Sequence, residues 1–393
     1  MKKFHFLWRE NYVDYLWAKY VTASVYFQHS GILLYEDSVL TGYATSKEVE
    51  VVNEYTNHLL EDPKLILRLS KDFNETRKKI KKATPLLSKK IITESTNKEL
   101  FKLFIVLIDL LKHHVEIYRH TDPHYIKHIE QLAIRATQKV TDTNPHEFLA
   151  KLLSNKGAHY KKYDFTDAEH ELFDILDTIA RMRFEAKKID TPFVEFSEKL
   201  LREVARRTDL SVNQISNLDL KELEQLLLNC KMPNLEQVNK RQHLFVLRVK
   251  VARGKTTIKT LSDQEAKDII EYDRSASNRT TLKGEVAYPG IVRGVARIAP
   301  MLSGPEEYEA YIETLEKTDV LIAPMTAPSL TPAFLKVAAV VTDEGGLMSH
   351  AALIAREKKI PCVIGTRSAT RTFQEGEIII VDATNGIVTK DKK

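Results

Sequence analysis

Apolar side chains recur at three- and four-residue spacing through the first 240 residues of the chain. The clearest run comprises Leu100, Leu103, Phe104, Leu107, Leu110 and Leu111. This spacing places the apolar positions on one face of an α-helix. Capping boxes mark three helix starts, at Thr45 with Glu48, Thr96 with Glu99, and Thr166 with Glu169. The pattern predicts an all-helical N-terminal domain over residues 1–240.

The pattern changes near residue 243. Two runs rich in β-branched residues, HLFVLRVKVA and TTIKTL, flank Arg253-Gly254-Lys255 and predict a β-hairpin. Gly254-Lys255-Thr256 matches the end of a phosphate-binding P-loop, but Val249 stands where that motif needs its first glycine. We interpret the match as chance, and we predict a connector of hairpin and helix over residues 241–273. Residues 274–283, which begin RSASNRTT, are polar and unpatterned and predict a hinge linker.

Short apolar runs alternate with helical segments after Gly284. Strands are predicted at residues 285–287, 292–299, 320–323, 338–342, 362–364, 377–381 and 386–389, and helices at 306–315, 330–336 and 349–357. Short buried strands with helical crossovers are typical of a small domain with a largely covered sheet. The fold class predicted for the whole chain is therefore α+β multidomain, with a separate C-terminal domain over residues 284–393.

The segment that carries chemistry is VVTDEGGLMSHAALIAREKKIPCVIG, residues 340–365. A buried strand ends at Thr342, and Gly345-Gly346 follow where the backbone can turn sharply. A helix is predicted from about Ser349, which places His350 in its first turn. A helix N-terminus offers N–H groups without intrahelical acceptors and a positive dipole end, and both suit a phosphate. An imidazole at that point can accept a phosphoryl group as a nucleophile.

This segment closely resembles the phosphohistidine motif of phosphoenolpyruvate-utilising enzymes, such as phosphoenolpyruvate synthase, pyruvate phosphate dikinase and rifampin phosphotransferase. The matching residues are Gly345, Gly346, Ser349, His350, Ala351, Ala352, Ala355, Arg356, Glu357 and Pro361. Two further stretches match in order: LIAPMTAPSLTP at residues 321–332, and AYPGIVRGV at residues 287–295, with Tyr288 where the family usually has Ser. Many members carry Thr two residues before the histidine, where this chain has Met348.

The resemblance implies a swivelling β/β/α phosphohistidine domain after the helical domain. It implies His350 as the phosphohistidine nucleophile, and Gly345, Gly346, Ser349 and Arg356 as phosphate-supporting residues. Members of the family usually carry an ATP-grasp domain that phosphorylates the histidine, and the residues before 240 show no pattern for one. We therefore expect a phosphotransferase component that is phosphorylated in trans by a separate ATP-grasp protein. The partner would supply ATP and Mg²⁺, and the phosphoryl acceptor would be an unidentified small molecule.

A second hypothesis from a different class is a non-catalytic ligand-binding or regulatory protein that retains the swivelling-domain fold. Labelling of His350 from ATP by a partner separates the two hypotheses. The helical domain weakly resembles the central helical domain of rifampin phosphotransferase in residues 178–226, which makes it a candidate substrate or partner domain.

Composition excludes several other classes. The formal net charge of +5, from 59 basic and 54 acidic residues, is too small to indicate binding to nucleic acid or an anionic membrane. Cys230 and Cys362 are too few for a disulfide framework or a cysteine metal site, and they fit a cytoplasmic location. His120, His124 and His128 have one-face helical spacing, but Pro123 interrupts it and no carboxylate completes a metal site. We interpret them as a solvated polar face and predict no bound metal.

Overall fold

The fold is taken from a computed structural model of the 393-residue chain. It describes residues 4–11, 14–36, 39–62, 64–83, 89–141, 145, 148–149, 152, 159–275, 279–300, 305–326, 330–346 and 349–391. Within these ranges, every helix is too short or too polar to cross a membrane.

The chain divides into two compact units. The first comprises Met1–Ile126 and Asp174–Ala266, and the second comprises Lys127–Phe173 and Lys267–Lys393.

A five-stranded antiparallel sheet forms the centre of the first unit. Its strands are β1 (Phe4–Asn11), β2 (Ser30–Glu36), β3 (Val39–Thr45), β4 (Leu244–Ala252) and β5 (Lys255–Thr260), in the order β1-β3-β2-β4-β5. Tyr35 of β2 lies directly opposite Phe245 of β4, and their rings stack with centroids 4.6 Å apart. Leu33 and Leu247 form another such pair, and both are fully buried. These cross-strand pairs hold the N-terminal strands to the hairpin that arrives some 200 residues later.

Most of the remaining structure is helical. The α-helices are, in chain order, α1 (Tyr15–Trp17), α2 (Ala23–Val25), α3 (Ser46–Glu61), α4 (Lys64–Ala83), α5 (Lys89–Glu94), α6 (Asn97–Tyr118), α7 (Pro123–Thr137), α8 (Asp167–Arg207), α9 (Val212–Ser216), α10 (Leu220–Asn229), α11 (Leu235–Arg241), α12 (Asp263–Ser275), α13 (Pro305–Glu313), α14 (Thr331–Phe334), α15 (His350–Lys358) and α16 (Ala369–Thr372). A π-helical turn, Ala18–Thr22, joins α1 to α2, and 3₁₀ turns lie at Arg119–Thr121 and His159–Lys162.

The α+β multidomain class is confirmed, and so is the hairpin around Gly254. The three helix starts are also confirmed, and the capping boxes at Thr96 with Glu99 and at Thr166 with Glu169 are complete. The box predicted at Thr45 is incomplete, because the Glu48 carboxylate accepts the N–H groups of Gln28, His29 and Ser30 instead. One correction applies to residues 1–240, which were predicted to be all helical and which contain β1, β2 and β3. Five consecutive residues in each of β2 and β3 are buried, so these strands lack the alternation of apolar and polar positions that identifies a strand with one exposed face.

An eight-stranded mixed sheet forms the centre of the second unit. Its strands are β6 (Thr281–Lys283), β7 (Glu285–Tyr288), β8 (Ile291–Ile298), β9 (Asp319–Ala323), β10 (Ala339–Thr342), β11 (Cys362–Ile364), β12 (Ile378–Asp382) and β13 (Ile387–Lys390), in the order β6-β13-β12-β8-β9-β10-β11-β7. Strands β8 to β11 run parallel, and the other pairs are antiparallel. The strands and helices predicted after Gly284 are confirmed within one or two residues.

The predicted hinge, residues 274–283, includes 276–278, which lie outside the described residues. Its last residues belong to β6, which pairs with β13 at one edge of the sheet. Because Leu282 is buried in the core of this sheet, the C-terminal part of the segment is folded as a strand.

Candidate functional site

Three loops leave the same edge of the second sheet, at the carboxyl ends of β9, β10 and β11. Thr342 at the end of β10 lies opposite Ala323 at the end of β9, and Val341 lies opposite Val363 of β11. The chain segments that follow these strands therefore start at one level. In parallel sheets this edge is where ligands usually bind.

The loop after β10 turns sharply at Gly345 and Gly346. Gly345 has φ +127°, a backbone conformation that residues with a side chain rarely adopt. A Cβ at this position would lie 3.0 Å from Ser349 Oγ. The Gly346 carbonyl accepts a hydrogen bond from the Ser349 N–H at 2.9 Å. These features bring the chain directly into α15, as the sequence predicted.

Ser349 is the N-cap of α15. It has an extended backbone, and its Oγ accepts the Ala352 N–H at 3.3 Å. His350 is the first residue of the helix, and Ala351, Ala352 and Ala355 are buried on the packed side. The imidazole therefore lies at the positive end of the helix dipole.

Two threonine hydroxyls hold the imidazole. Thr326 Oγ1, after β9, lies 3.0 Å from His350 Nδ1, and Thr331 Oγ1, at the start of α14, lies 3.3 Å from Nε2. Thr326 is buried, whereas Thr331 and His350 are partly exposed. The ring is thus contacted by a hydroxyl at each nitrogen, and the residue remains partly exposed.

Residues 315–386 match the family model described as "PEP-utilising enzyme, mobile domain". This region is a mobile domain of the phosphoenolpyruvate-utilising enzyme family. The mobile domain contains His350 and both of its threonine partners.

Curated relatives include probable and named phosphoenolpyruvate synthases. The protein from Pyrococcus abyssi is 37% identical over 139 residues, which is 35% of this chain and 15% of that protein. The protein from Pyrococcus furiosus is 39% identical over 140 residues, 35% of this chain and 16% of that protein. Chondramide synthase cmdD from Chondromyces crocatus is 44% identical over 100 residues, 25% of this chain and 2% of that protein. The similarity therefore spans about a sixth or less of each of these relatives.

Arg356 of the mobile domain is buried, and its Nε donates a hydrogen bond to the Ala287 carbonyl of β7 at 3.1 Å. It follows His350 by six residues, which corresponds to about 9 Å along the helix axis. In this arrangement Arg356 anchors the last turn of α15 to β7. A direct phosphate contact by Arg356 stays a prediction, as do the phosphate-supporting roles of Gly345, Gly346 and Ser349.

Asp343 fixes the loop before the glycine turn. Its carboxylate accepts hydrogen bonds from the Thr370 N–H, at 3.1 Å, and from the Thr370 hydroxyl, and its carbonyl accepts the Arg367 N–H at 2.8 Å. Since Asp343 is fully buried and so bonded, it positions the loop rather than reaching a ligand. Met348, the departure from the family pattern, lies outside the described residues.

No role was predicted for Thr326 or Thr331. Both lie in the stretch LIAPMTAPSLTP, and its resemblance to the family is a signal that could have identified them. No cluster of three or more potential metal ligands occurs among the His, Cys, Asp and Glu residues that the structure describes.

The histidines that the sequence placed on a solvated face are arranged differently. His120 lies in the 3₁₀ turn and is 9% exposed, with its ring 4.7 Å from that of Tyr55. Burial lowers the pKa of His120 from 6.5 to about 3. His128 is exposed, so the interpretation as a solvated face was wrong for His120 and is confirmed for His128. The side chain of His124 lies outside the described part of the structure.

Proposed function

We propose that this chain is a phosphotransferase component that carries a phosphoryl group on His350. The observation that supports this most strongly is the partly exposed imidazole at the N-terminus of α15, held at both nitrogens by Thr326 and Thr331. A ring held in this way has its nucleophilic atom in a fixed position, which lowers the entropic cost of phosphoryl transfer.

The hydroxyl contacts favour Nε2 as the attacking atom. With the proton on Nδ1, this N–H donates to Thr326 Oγ1, the shorter and more buried of the two contacts. The lone pair is then on Nε2, beside the partly exposed Thr331. Attack forms the P–N bond, the P–O bond to the leaving group breaks, and the electron pair of that bond remains on the departing oxygen.

The surroundings of His350 offer stabilisation to the phosphoryl group once it is bound. The N-terminal dipole of a helix contributes about 0.3–1 kcal/mol to an anion placed there. The Thr331 hydroxyl, released from Nε2, becomes a donor to a phosphoryl oxygen. Transfer onward reverses the same steps with the acceptor as nucleophile.

We propose that the phosphoryl donor is ATP bound with Mg²⁺ by a separate ATP-grasp protein, and that the acceptor is a small molecule. Since the phosphoenolpyruvate synthases are matched over only about a sixth of their length, activity on phosphoenolpyruvate itself is part of this proposal. A cytoplasmic location agrees with it and stays a prediction.

The test is incubation with candidate ATP-grasp proteins and ATP labelled at the β- or γ-phosphate. We expect label on the wild-type chain that is labile in acid and stable in alkali, as a phosphoramidate bond is. His350→Ala abolishes the label. His128→Ala, which removes an exposed imidazole from α7, is the matched control and retains it.

A partner-independent measurement uses the small phosphoryl donor phosphoramidate, with the modified histidine located by mass spectrometry. We expect His350 to react faster than the exposed His128. If His350 shows no preference and no ATP-grasp protein labels it, the chain is instead a binding or regulatory protein with the same fold.

A further inference from the structure

The first unit contains a cavity of about 690 Å³ between α10, α11 and the β4–β5 hairpin. Four apolar residues of the hairpin region form part of its wall: Leu244, Phe245 and Val246 at the start of β4, and Leu261 directly after β5. Phe245 and Val246 are buried, and Met232, in the loop between α10 and α11, is 48% exposed at the cavity. The cavity has the size and the apolar walls of sites that bind small organic molecules.

Positively charged side chains outnumber negatively charged ones in the lining of the cavity. Each of its three acidic side chains is paired with a cation: Asp219 with Lys19, Glu222 with Arg241, and Asp263 with Lys240. Lys221 and Lys231 also line the cavity, and neither forms an ion pair with another residue that the structure describes. Two positive charges therefore remain uncompensated beside an apolar wall.

Arg241 adds a donor at the inner side of the cavity. Its Nη2 donates to both Glu222 oxygens at 2.8 and 2.7 Å, and its Nε donates to the Gln237 carbonyl at 3.3 Å. The guanidinium carbon lies 4.7 Å from the centre of the Tyr15 ring. These contacts fix the group, which is 11% exposed, while Nη1 has no partner within the described part of the chain. Nη1 is therefore a donor that water or a ligand in the cavity can satisfy.

We propose that this cavity binds a small amphipathic anion, with an apolar ring or branched chain against Phe245 and Val246 and an anionic group near Arg241, Lys221 and Lys231. The apolar wall alone would favour a neutral molecule, and the lysines alone would favour an inorganic ion. The apolar wall and the lysines together favour a molecule that has both an apolar part and an anionic group. This inference does not depend on phosphorylation of His350.

The test uses the full chain and four probes of similar size: benzoate, phenyl phosphate, neutral benzyl alcohol and cationic benzylamine. Binding is measured by ligand-observed NMR and calorimetry. We expect both anions to bind, benzyl alcohol to bind more weakly, benzylamine to bind least, and anion affinity to fall as salt increases. Comparison of benzoate with phenyl phosphate shows which anionic group is preferred.

Lys221→Glu with Lys231→Glu is the test variant, and Lys250→Glu with Lys255→Glu is the control. Both variants change the net charge equally, and Lys250 and Lys255 are exposed on the hairpin outside the cavity lining. The test variant should lose roughly tenfold or more in anion affinity, because attraction becomes repulsion at two positions. Benzyl alcohol binding should be equal in both variants, which shows that the cavity is intact.

Two results would overturn the proposal. One is the absence of binding by both anions to the wild-type chain. The other is an equal loss of anion affinity in the test and control variants, which would mean that net charge rather than the cavity attracts the probes.

Discussion

Replacement of Thr326 by valine tests whether the hydroxyl that contacts Nδ1 orients the His350 ring for phosphorylation. Thr326 is 6% exposed, and its Oγ1 lies 3.0 Å from Nδ1. Valine has nearly the same shape as threonine, so it removes the hydrogen bond and leaves packing almost unchanged. The imidazole then loses the contact that favours the lone pair on Nε2.

The size of the effect follows from the strength of one hydrogen bond. A typical intramolecular hydrogen bond contributes about 0.5–1.5 kcal/mol net. If all of it is expressed in the transition state, the rate falls by about two- to twelvefold. The upper part of this range is expected, because the ring gains positive charge as the P–N bond forms and Nδ1–H becomes a stronger donor.

The assay is the rate of phosphorylation of His350 by phosphoramidate, followed by mass spectrometry of the intact chain and its peptides. Thr389→Val is the matched control, since it removes a hydroxyl hydrogen bond from β13 of the same unit and does not touch the imidazole. ¹⁵N NMR of the labelled histidine identifies the phosphorylated nitrogen, which we expect to be Nε2.

A Thr326→Val chain that folds normally and reacts at the wild-type rate would refute this reasoning. Phosphorylation at Nδ1 would refute it independently, because Thr326 occupies that nitrogen in the structure.

Three further outcomes are expected. Ser349→Ala removes the cap of α15 and destabilises its first turn by about 1 kcal/mol, seen as faster hydrogen exchange at the Ala352 amide, with unchanged exchange in α8 as the control. Gly345→Ala forces a side chain into φ +127° and costs about 1–3 kcal/mol, measured as a lower midpoint of thermal unfolding. His120→Phe flattens the pH dependence of stability. Its pKa is 6.5 when unfolded and about 3 when folded, so the unfolded chain binds more protons between these values and wild-type stability falls as the pH falls through them. Unfolding midpoints at several pH values check this, and an unchanged slope would contradict it.

The C-terminal fold was predictable because its strands are short, apolar and separated by segments that contain glycine or proline, and because the segment around His350 has a distinctive order of residues. The first three strands were not predictable in the same way. Leu33 and its neighbours in β2 are buried on both faces, so they show no alternation, and one of the two strands that flank β2, β4, lies about 200 residues away. Periodicity within one segment contains no information about such a distant partner.

In the site, too, features determined by adjacent residues were predictable, whereas contacts between residues far apart in the sequence were not. The helix start at Ser349 is determined by adjacent residues and was predicted. The contacts of Thr326 and Thr331 with the imidazole join residues 24 and 19 positions apart, which only the sheet brings together. His120 was misassigned because helical spacing was assumed across a 3₁₀ turn, where the helix periodicity does not continue.

The pairing of Ala323 in β9 with Thr342 in β10 determines which sequence changes near His350 the fold can tolerate. A slip of one residue between these strands would displace a threonine from the ring by about 3.3 Å and break its hydrogen bond. Exchange of loop residues other than Thr326 and Thr331 would leave that spacing intact. If the proposed function holds, new loop sequences that keep both threonines are compatible with a change of phosphoryl acceptor, whereas insertions within β9 or β10 would separate the threonines from His350.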